Sequence, residues 1–298
     1  MISAEIIADS VASDVRLTTF ELIFPRFILP ELATHRVFSK NSSSSRAIPI
    51  KKMIQSIRDM PVMPSYWGKN IPGMAAKEEI EGWRLWVAKF LWKRAEGMAI
   101  RTALFFDMIG LHKQIANRIL EPFTHMKIVL SATEFDNFFK LRIDSAAQPE
   151  ILYLAQAMER AMSDNTPMLL GRWEWHLPYI IVTRNNEGTV EYTHPSTGED
   201  MTKADAKMIS ASLCAQVSYR NSDDSLEKAG VMYDRLINSM PRHSSPFEHQ
   251  ATPITYSDVL DKAGVTHQDI HGEYWSGNFR GFIQWRHVIP TGAADWGL

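Results

Sequence analysis

The residues most able to do chemistry stand together in the stretch THRVFSKNSSSSR, residues 34–46. It holds one imidazole, two guanidiniums and five serine hydroxyls. Arginine offers paired N–H donors to an anion, and a serine-rich turn adds hydroxyl and backbone N–H donors. These residue types therefore predict an anion-binding loop. The alternative is a solvated loop, since serine and asparagine are common turn residues, and for an isolated serine-rich run that alternative is the better interpretation.

Length and composition place the chain among ordinary globular proteins. Of its 298 residues, 45% are hydrophobic and 22% are charged, so the chain can bury a sizeable core. The 32 basic and 34 acidic residues give a formal net charge of −2. That balance argues against a protein that coats duplex nucleic acid, because such a protein needs a basic face. It still allows a local basic pocket for one small phosphorylated ligand.

The single cysteine and several absent motifs narrow the chemistry. Cys214 has no disulfide partner, and its apolar helical surroundings predict a buried, inert thiol. The sequence contains no GxxxxGK(S/T), GxGxxG, HExxH or GxSxG pattern. His243 and His249 flank Glu248 and could form a metal site, but their spacing matches no recognised ligand pattern, so no metal is predicted. Because we find neither a signal peptide nor an apolar run of about 18 residues, we expect a cytoplasmic protein without a membrane span.

The elements that must position the loop come from hydrophobic periodicity. Residues 16–29 predict a strand that breaks at Pro25 and continues as a short segment into the loop. Residues 76–109 predict a long amphipathic helix whose aromatic stripe, with Trp83, Trp86 and Phe90, packs in the core. The other predicted elements are helices at 111–121, 133–142, 146–162, 203–217 and 225–239, a strand at 126–132, a hairpin at 178–194 and a strand-like segment at 277–290. Their irregular order favours an α+β fold, with a mixed or antiparallel sheet flanked by long helices.

The spacing within the loop matches a known signature. His35 and Arg36 are followed by seven residues, then by Ser44, and Arg46 stands two residues further on. This resembles the Arg-His-Arg signature of flavin-dependent thymidylate synthases, which is followed by seven residues and a serine. The preceding strand also matches that family, with Pro25 ten residues before His35.

Two further segments carry the same resemblance. Residues 116–150 contain an Arg-Ile-Leu-x-Pro turn, a helix with an asparagine that ends in Leu-Arg, and Ala-Gln-x-Glu. Residues 212–249 end in the family's His-x-Ser/Thr-Pro-Phe-Glu-His. In ordinary members this last segment precedes the His-Arg motif, whereas here it follows. We therefore interpret residues 1–298 as one circularly permuted or rearranged domain, with motif segments at 16–50, 112–160 and 210–256; permutation is tolerated when termini lie close together at the surface.

The resemblance implies a function. Members of this family use FAD to convert deoxyuridylate into thymidylate, with methylenetetrahydrofolate as carbon donor and NADPH as reductant, and they assemble as homotetramers. No protein nucleophile is required, which agrees with a structural Cys214. Two alternatives keep the fold: methyl or hydroxymethyl transfer to another pyrimidine deoxynucleotide, or a non-catalytic relative that binds no flavin.

The resemblance also implies roles for individual residues. Arg142, which matches the family's Leu-Arg, would be catalytic, because a permanent positive charge favours the ionised form of the uracil ring. The implied nucleotide-binding residues are Glu31, Thr34, Ser42, Ser43, Ser44, Ser45, Arg46, Arg118 and Arg142. The implied cofactor-binding residues are His35, Arg36, Ser131, Thr133, Asn137, Ser245 and Glu248.

Three positions depart from the family pattern. Thr34 replaces the first arginine of the signature, Glu31 stands where glutamine is usual, and Ser42 replaces a glutamate. A carboxylate at Glu31 would repel a phosphate, so either Glu31 turns away or the ligand differs from deoxyuridylate. The strand-like segment near the C-terminus supplies similar residue types, and we expect it to lie near the site with Gln284, Arg286 and His287.

Overall fold

A five-stranded mixed sheet lies at the centre of the fold. The computed structural model describes residues 1–72, 76, 78–218, 222–239, 243–261 and 263–289. The strands of the central sheet are β1 (Ser3–Ala12), β2 (Val15–Pro25), β3 (Ser39–Ser42), β4 (His125–Ala132) and β5 (Met168–Leu169). They lie in the order β3-β4-β2-β1-β5, with β5 parallel to β1 and the other neighbours antiparallel. β3 is therefore an edge strand, which leaves one side of the loop at 34–46 open to other parts of the chain.

β1 and β2 form a hairpin, although no element is predicted for the residues of β1. Ser13 and Asp14 form its two-residue turn, with φ angles of 45° and 67°. Positive φ at both central positions matches the twist of the two strands. The Ser-Asp pair lacks the glycine that usually signals such a turn, so the sequence pattern does not reveal it.

Helices cover the sheet and extend from it. They are α1 (Leu29–Ala33), α2 (Ile50–Asp59), α3 (Gly82–Met108), α4 (Lys113–Ala116), α5 (Asp136–Arg142), α6 (Pro149–Asp164), α7 (Lys203–Ala215), α8 (Leu226–Ile237) and α9 (Tyr256–Asp261). α5 and α6 share one buried core with the sheet, to which Phe20, Leu130, Phe138 and Leu154 contribute. The predicted α+β class with a mixed sheet is confirmed, as are the strand at 126–132 and the helix at 146–162.

The long helix α3 corrects one expectation. Its aromatic stripe does not lie in the core of the chain: Trp83 is 72% exposed and Trp86 is 67% exposed, and Phe90 is exposed as well. Contact with the core comes from a different stripe, in which Ala103 is buried and Trp92 packs against it. Apolar residues occur all around this helix, so its sequence pattern does not indicate which stripe faces inward.

The structure changes one further local expectation and refines another. The predicted helix at 111–121 is only one turn of α-helix in α4, followed by a 3-10 segment, Asn117–Phe123. Pro122 lies inside that segment, and its missing N–H does not allow a continuous α-helix. The predicted break at Pro25 is observed, and the short segment after it is a 3-10 turn, Arg26–Ile28, that leads directly into α1.

The second half of the chain adds smaller sheets around α7 and α8. Their strands are β6 (Ile181–Arg184), β7 (Val190–Thr193), β8 (Asp200–Met201), β9 (Ala251–Pro253), β10 (His267–Gln268), β11 (Tyr274–Ser276), β12 (Phe279–Arg280) and β13 (Phe282–Gln284). The predicted hairpin is confirmed as β6 and β7. β13 pairs with β9, and a 3-10 turn, Trp285–His287, follows it. None of the helices in the described ranges has both the length and the hydropathy needed to cross a membrane.

Candidate active site

Three distant parts of the chain meet at β3 and the turn after it. The side-chain amide of Asn41 donates to the carbonyl of Cys214 over 3.1 Å, and the backbone N–H of Ser44 donates to Ser218 Oγ over 2.9 Å. From the other side, Asn278 Nδ2 donates to the carbonyl of Val37 over 2.8 Å. The loop at 34–46 is thus held by α7 and by the region of β12, both more than one hundred and fifty residues away in sequence.

The centre of the site is an arginine–histidine–threonine cluster. Arg142 Nε donates to His35 Nε2 over 3.1 Å, and Arg142 Nη2 donates to Thr34 Oγ1 over 3.1 Å. Burial lowers the pKa of His35, and the positive charges of Arg142 and Lys40 lower it further. The imidazole is therefore neutral and accepts the hydrogen bond. Arg142 Nη1 has no hydrogen bond among the described residues, so this donor remains open to a ligand.

Aromatic rings fix the position of His35. Its ring stacks on Phe38 with centroids 5.7 Å apart, and Phe138 meets it edge-on at 4.9 Å. Phe138 and Arg142 both belong to α5, where residues four apart lie on the same face. One helix face therefore supplies both the ring that packs against His35 and the guanidinium that donates to it.

The third motif segment reaches the site through Glu248. Its carboxylate forms an ion pair with Arg286. Its carbonyl accepts from Gln284 Nε2 over 3.1 Å, and the same amide donates to Ser39 Oγ over 3.1 Å. The segment near the C-terminus therefore lies beside both β3 and the predicted cofactor residue Glu248, as expected from the sequence. His287 belongs to the same 3-10 turn as Arg286.

Lys40 is a charged residue of the site that sequence reasoning missed. Its Nζ donates to the carbonyl of His35 over 3.1 Å and lies 5.9 Å from the centre of the Phe38 ring. Burial lowers the pKa of Lys40, while the negative charge of Glu248 opposes that shift. Lys40 lies inside the stretch 34–46, and that position in the sequence could have identified it as a site residue. Asn278, by contrast, gives no sequence signal, because its contacts with this loop depend wholly on the tertiary fold.

The serine-rich turn after β3 makes most of its hydrogen bonds with other groups of the protein. Ser43 Oγ accepts from the backbone N–H of Lys127 over 3.1 Å, and the backbone N–H of Ser43 donates to the carbonyl of Lys127 over 2.8 Å. Ser45 Oγ donates to Glu121 Oε1 over 2.5 Å, and Arg118 Nη1 donates to the same oxygen over 2.9 Å. Two of the predicted phosphate ligands, Ser45 and Arg118, are therefore brought together, but around a carboxylate of the chain itself.

Several predicted site residues present open side chains. Those that are exposed and make no side-chain hydrogen bond within the described ranges are Arg36, Ser42, Arg46, Asn137 and Ser245. Glu31 is half-buried, and its Oε2 is a buried oxygen that finds no hydrogen-bond partner in the described part of the chain. The exposed side chains in this set supply both donors and acceptors that a bound ligand can use.

Ser131 and Thr133 lie deeper than the others. Ser131 is fully buried, and its hydroxyl bonds to Thr19 Oγ1 at 2.6 Å and to His249 Nδ1 at 2.8 Å. Thr133 Oγ1 accepts from the backbone N–H of Arg280 over 3.0 Å. The structure does not bring these two hydroxyls to the open side of the site. Arg242, six residues before Glu248 in the sequence, lies outside the described residues.

The comparison with protein-family models identifies the chain as an enzyme of the thymidylate synthase type. The family model described as thymidylate synthase complementing protein matches residues 15–168. Because that match covers more than half of the chain, the protein belongs to this family, the flavin-dependent thymidylate synthases. A comparison with curated protein sequences gave no match. The family match includes the segments at 16–50 and 112–160, while the segment at 210–256 lies beyond it.

Proposed function

We propose that the protein is an FAD-dependent enzyme that methylates deoxyuridylate to thymidylate, with methylenetetrahydrofolate as carbon donor and NADPH as reductant. The observation that carries this proposal is the cluster of Thr34, His35 and Arg142, in which residues 107 apart in sequence share a hydrogen bond. Two hydrogen bonds fix the orientation of the Arg142 guanidinium and leave one of its donors open. Such a donor suits a pyrimidine ring that gains negative charge during the reaction.

The side chains present fit a flavin. Arg36, Asn137 and Ser245 are exposed and offer donors suited to a pyrophosphate or to ring carbonyls. When bound, reduced FAD supplies the electrons that convert the transferred carbon into a methyl group. Lys40 and the ion pair of Glu248 with Arg286 add charges beside β3, which would tune such a cofactor.

Arg142 is the residue that acts on the pyrimidine. Its Nε and Nη2 are held by His35 and Thr34, so the guanidinium cannot rotate freely. The remaining Nη1 donor would bond the edge of the ring and stabilise the ionised base by its permanent charge. His35 is the positioning residue, because only a neutral imidazole accepts from the guanidinium. Arg46, Arg118 and Ser45 would hold the nucleotide phosphate.

The motif segment at 210–256 and a cytoplasmic location complete the proposal. Ser245 and Glu248 belong to the same site as His35 if the chain is one permuted domain, and the hydrogen bond from Asn41 to the carbonyl of Cys214 supports that arrangement. The fully buried Cys214 has a pKa well above its usual range because of desolvation, so the thiol stays protonated and inert. A reducing cytoplasm suits such a chain.

Binding of FAD is the direct test of this function. Titration of the purified protein should quench flavin fluorescence and raise the melting temperature, because a ligand at 100 times its dissociation constant adds about 2.7 kcal/mol of stability. Arg36→Ala should weaken that binding. Arg160→Ala is the matched control, since it removes the same charge from an exposed position on α6. Absence of both quenching and thermal shift would contradict the proposal.

The exposed face of α3 supports a homo-oligomer, and we propose a tetramer. Trp86 and Phe90 stack with centroids 5.5 Å apart and are both exposed, which is unusual for large aromatic residues of a monomer. Light scattering at micromolar concentration should give about four times the chain mass of 34.0 kDa. Trp86→Glu should lower that mass. A species of 34.0 kDa for the parent protein would show that this face serves another purpose.

Glu31 favours a second candidate, in which the base is cytosine. Its Oε2 is buried and has no described hydrogen-bond partner, and the backbone carbonyl of Glu31 lies 3.4 Å from Arg142 Nη2. A carboxylate oxygen can accept from the exocyclic amine of cytosine, which uracil lacks. Single-turnover reactions with deoxyuridylate and deoxycytidylate distinguish the two candidates. Glu31→Gln should shift preference toward deoxyuridylate if the carboxylate reads the amine, and should leave the ratio unchanged otherwise.

A further inference from the structure

The turn after β3 already holds an anion, the carboxylate of Glu121. Ser45 Oγ and Arg118 Nη1 both donate to its Oε1, over 2.5 Å and 2.9 Å. Ser45 is buried, whereas the side chain of Arg118 is 54% exposed. These two donors are the ones that the proposed function assigns to the nucleotide phosphate. The carboxylate and the phosphate therefore compete for one set of hydrogen bonds.

The charges around the turn agree with such a competition. Arg26 lies behind it and donates from Nη2 to the carbonyl of Ser43 over 3.2 Å. Burial lowers the pKa of Arg26, Arg118 lowers it further, and the negative charge of Glu121 acts in the opposite direction. Glu121 thus compensates two guanidiniums at once. Without its charge, the turn would carry uncompensated positive charge suited to a phosphate dianion.

The carboxylate can leave without any change in the backbone. The carbonyl of Glu121 accepts from both the N–H and the Oγ1 of Thr124, over 3.2 Å and 2.9 Å, so the main chain at this point is fixed. Leu120 is buried on one side and Pro122 stiffens the other. Rotation of the Glu121 side chain alone releases Ser45 and Arg118.

We propose that Glu121 is an internal competitor of the nucleotide phosphate, which must displace its carboxylate from Ser45 and Arg118 in order to bind. This inference rests on the proposed nucleotide function and adds a residue that sets the affinity for phosphorylated ligands. Two anions cannot share the same donors, because like charges at this separation repel strongly. A ligand that lacks the phosphate does not meet Glu121 and is not affected by it.

Binding titrations of the full chain test this inference. The probes are deoxyuridine monophosphate, deoxyuridine and inorganic phosphate, measured by calorimetry with the parent protein and with Glu121→Gln. The amide keeps the size of the side chain and can still accept from Ser45, so the variant should fold. We expect the monophosphate and inorganic phosphate to bind roughly tenfold to a hundredfold more tightly to Glu121→Gln, because the like-charge repulsion is gone. Deoxyuridine should bind both proteins equally.

Glu78→Gln is the matched control. It removes one negative charge from an exposed ion pair with Lys69 and should leave all three affinities unchanged. If Glu121→Gln binds the monophosphate with unchanged or weaker affinity, the inference is wrong. If neither protein binds the monophosphate, the proposed function fails, and inorganic phosphate then decides separately: tighter binding to Glu121→Gln supports the competition, and equal binding overturns it.

Discussion

The cluster of Thr34, His35 and Arg142 reaches the open side of the candidate site through Thr34 and Arg142, whereas His176 and His249 have only buried side-chain partners inside the fold. His35 accepts one hydrogen bond from Arg142, and that arginine keeps a further donor without a described partner. We call Thr34, His35 and Arg142 the open cluster. The protein positions these polar groups but leaves part of their hydrogen-bonding capacity unoccupied, which is what a ligand site requires.

The inner region is a chain of hydrogen bonds that we call the buried network. Ser10 Oγ meets His176 Nδ1 at 2.9 Å, and His176 Nε2 meets Thr19 Oγ1 at 2.7 Å. Thr19 bonds to Ser131, which bonds to His249 Nδ1. The network joins β1, β2 and β4 to two segments that lie beyond the family match. It holds the two halves of the chain together.

The difference shows why residue type alone does not identify a site. Hydroxyl groups and histidine occur in both regions; the same hydroxyl chemistry is proposed to serve a ligand site in one and joins strands in the other. The exposure of the hydrogen-bond partners separates them: Thr34 and Arg142 reach solvent, whereas Thr19 and Ser131 are buried and must find all their partners within the protein. Acidification, removal of the Arg142 guanidinium and removal of the Ser131 hydroxyl should therefore affect the two regions differently.

The largest expected effect is loss of stability in acid through the buried network. Burial lowers the pKa of both His176 and His249 to about 3; the charge of Asp9 opposes the shift of His176, while His176 adds to that of His249. The unfolded chain binds these protons below about pH 6.5, and the folded chain does not. The free energy of unfolding should therefore fall as the pH drops from about 6.5 toward 3, by on the order of 5 kcal/mol at about pH 4.5 for the two histidines together.

Urea unfolding between pH 7.5 and pH 4.5 measures this slope. His249→Gln retains hydrogen-bonding capacity but does not titrate, so it should reduce the slope by about 1.4 kcal/mol per pH unit in the range where one histidine is protonated only on unfolding. A slope that is the same in the variant and the parent would show that His249 is not held neutral by the fold.

The next effect concerns the open cluster and is catalytic. Arg142→Ala should cost on the order of 2–4 kcal/mol of transition-state stabilisation, as for other lost charge-stabilising donors. Arg142→Lys should recover little of it, since lysine keeps the charge but lacks the planar fork. Single-turnover oxidation of the reduced enzyme with methylenetetrahydrofolate and deoxyuridylate measures the loss.

Affinity for FAD and the free energy of unfolding serve as controls for Arg142→Ala. Both should stay close to the parent values, because other residues are proposed to hold the flavin and the guanidinium is half-exposed. Turnover at the parent rate would remove Arg142 from the mechanism and leave the open cluster without a catalytic member.

The smallest expected effect is the loss of stability when the buried Ser131 hydroxyl is removed. Ser131→Ala leaves Thr19 and His249 each short of one hydrogen bond in a buried region, which should cost about 1–3 kcal/mol of stability. Chemical unfolding measures that loss, and FAD affinity should change little. The opposite result, weaker FAD binding at unchanged stability, would place Ser131 in the cofactor site, as the resemblance to the family implies.

Local elements and family membership follow from the amino-acid sequence alone. Period-two alternation indicates β4, Pro149 sets the start of α6, and the spacing from His35 to Ser44 and Arg46 carries the family signature. Such patterns are readable because they depend on neighbours a few residues apart. The near-neutral charge balance and the lone Cys214 likewise limit the chemistry that the chain can perform.

Which polar groups remain open is set by the tertiary fold. Ser45 and Arg118 are predicted as phosphate ligands, yet Glu121 occupies both; Ser131 is predicted at the cofactor, yet its partners are Thr19 and His249. The tertiary fold likewise decides that the aromatic stripe of α3 is exposed. Each depends on contacts between residues that are distant in sequence or on which of several apolar faces the rest of the chain covers, and no short-range pattern encodes those choices.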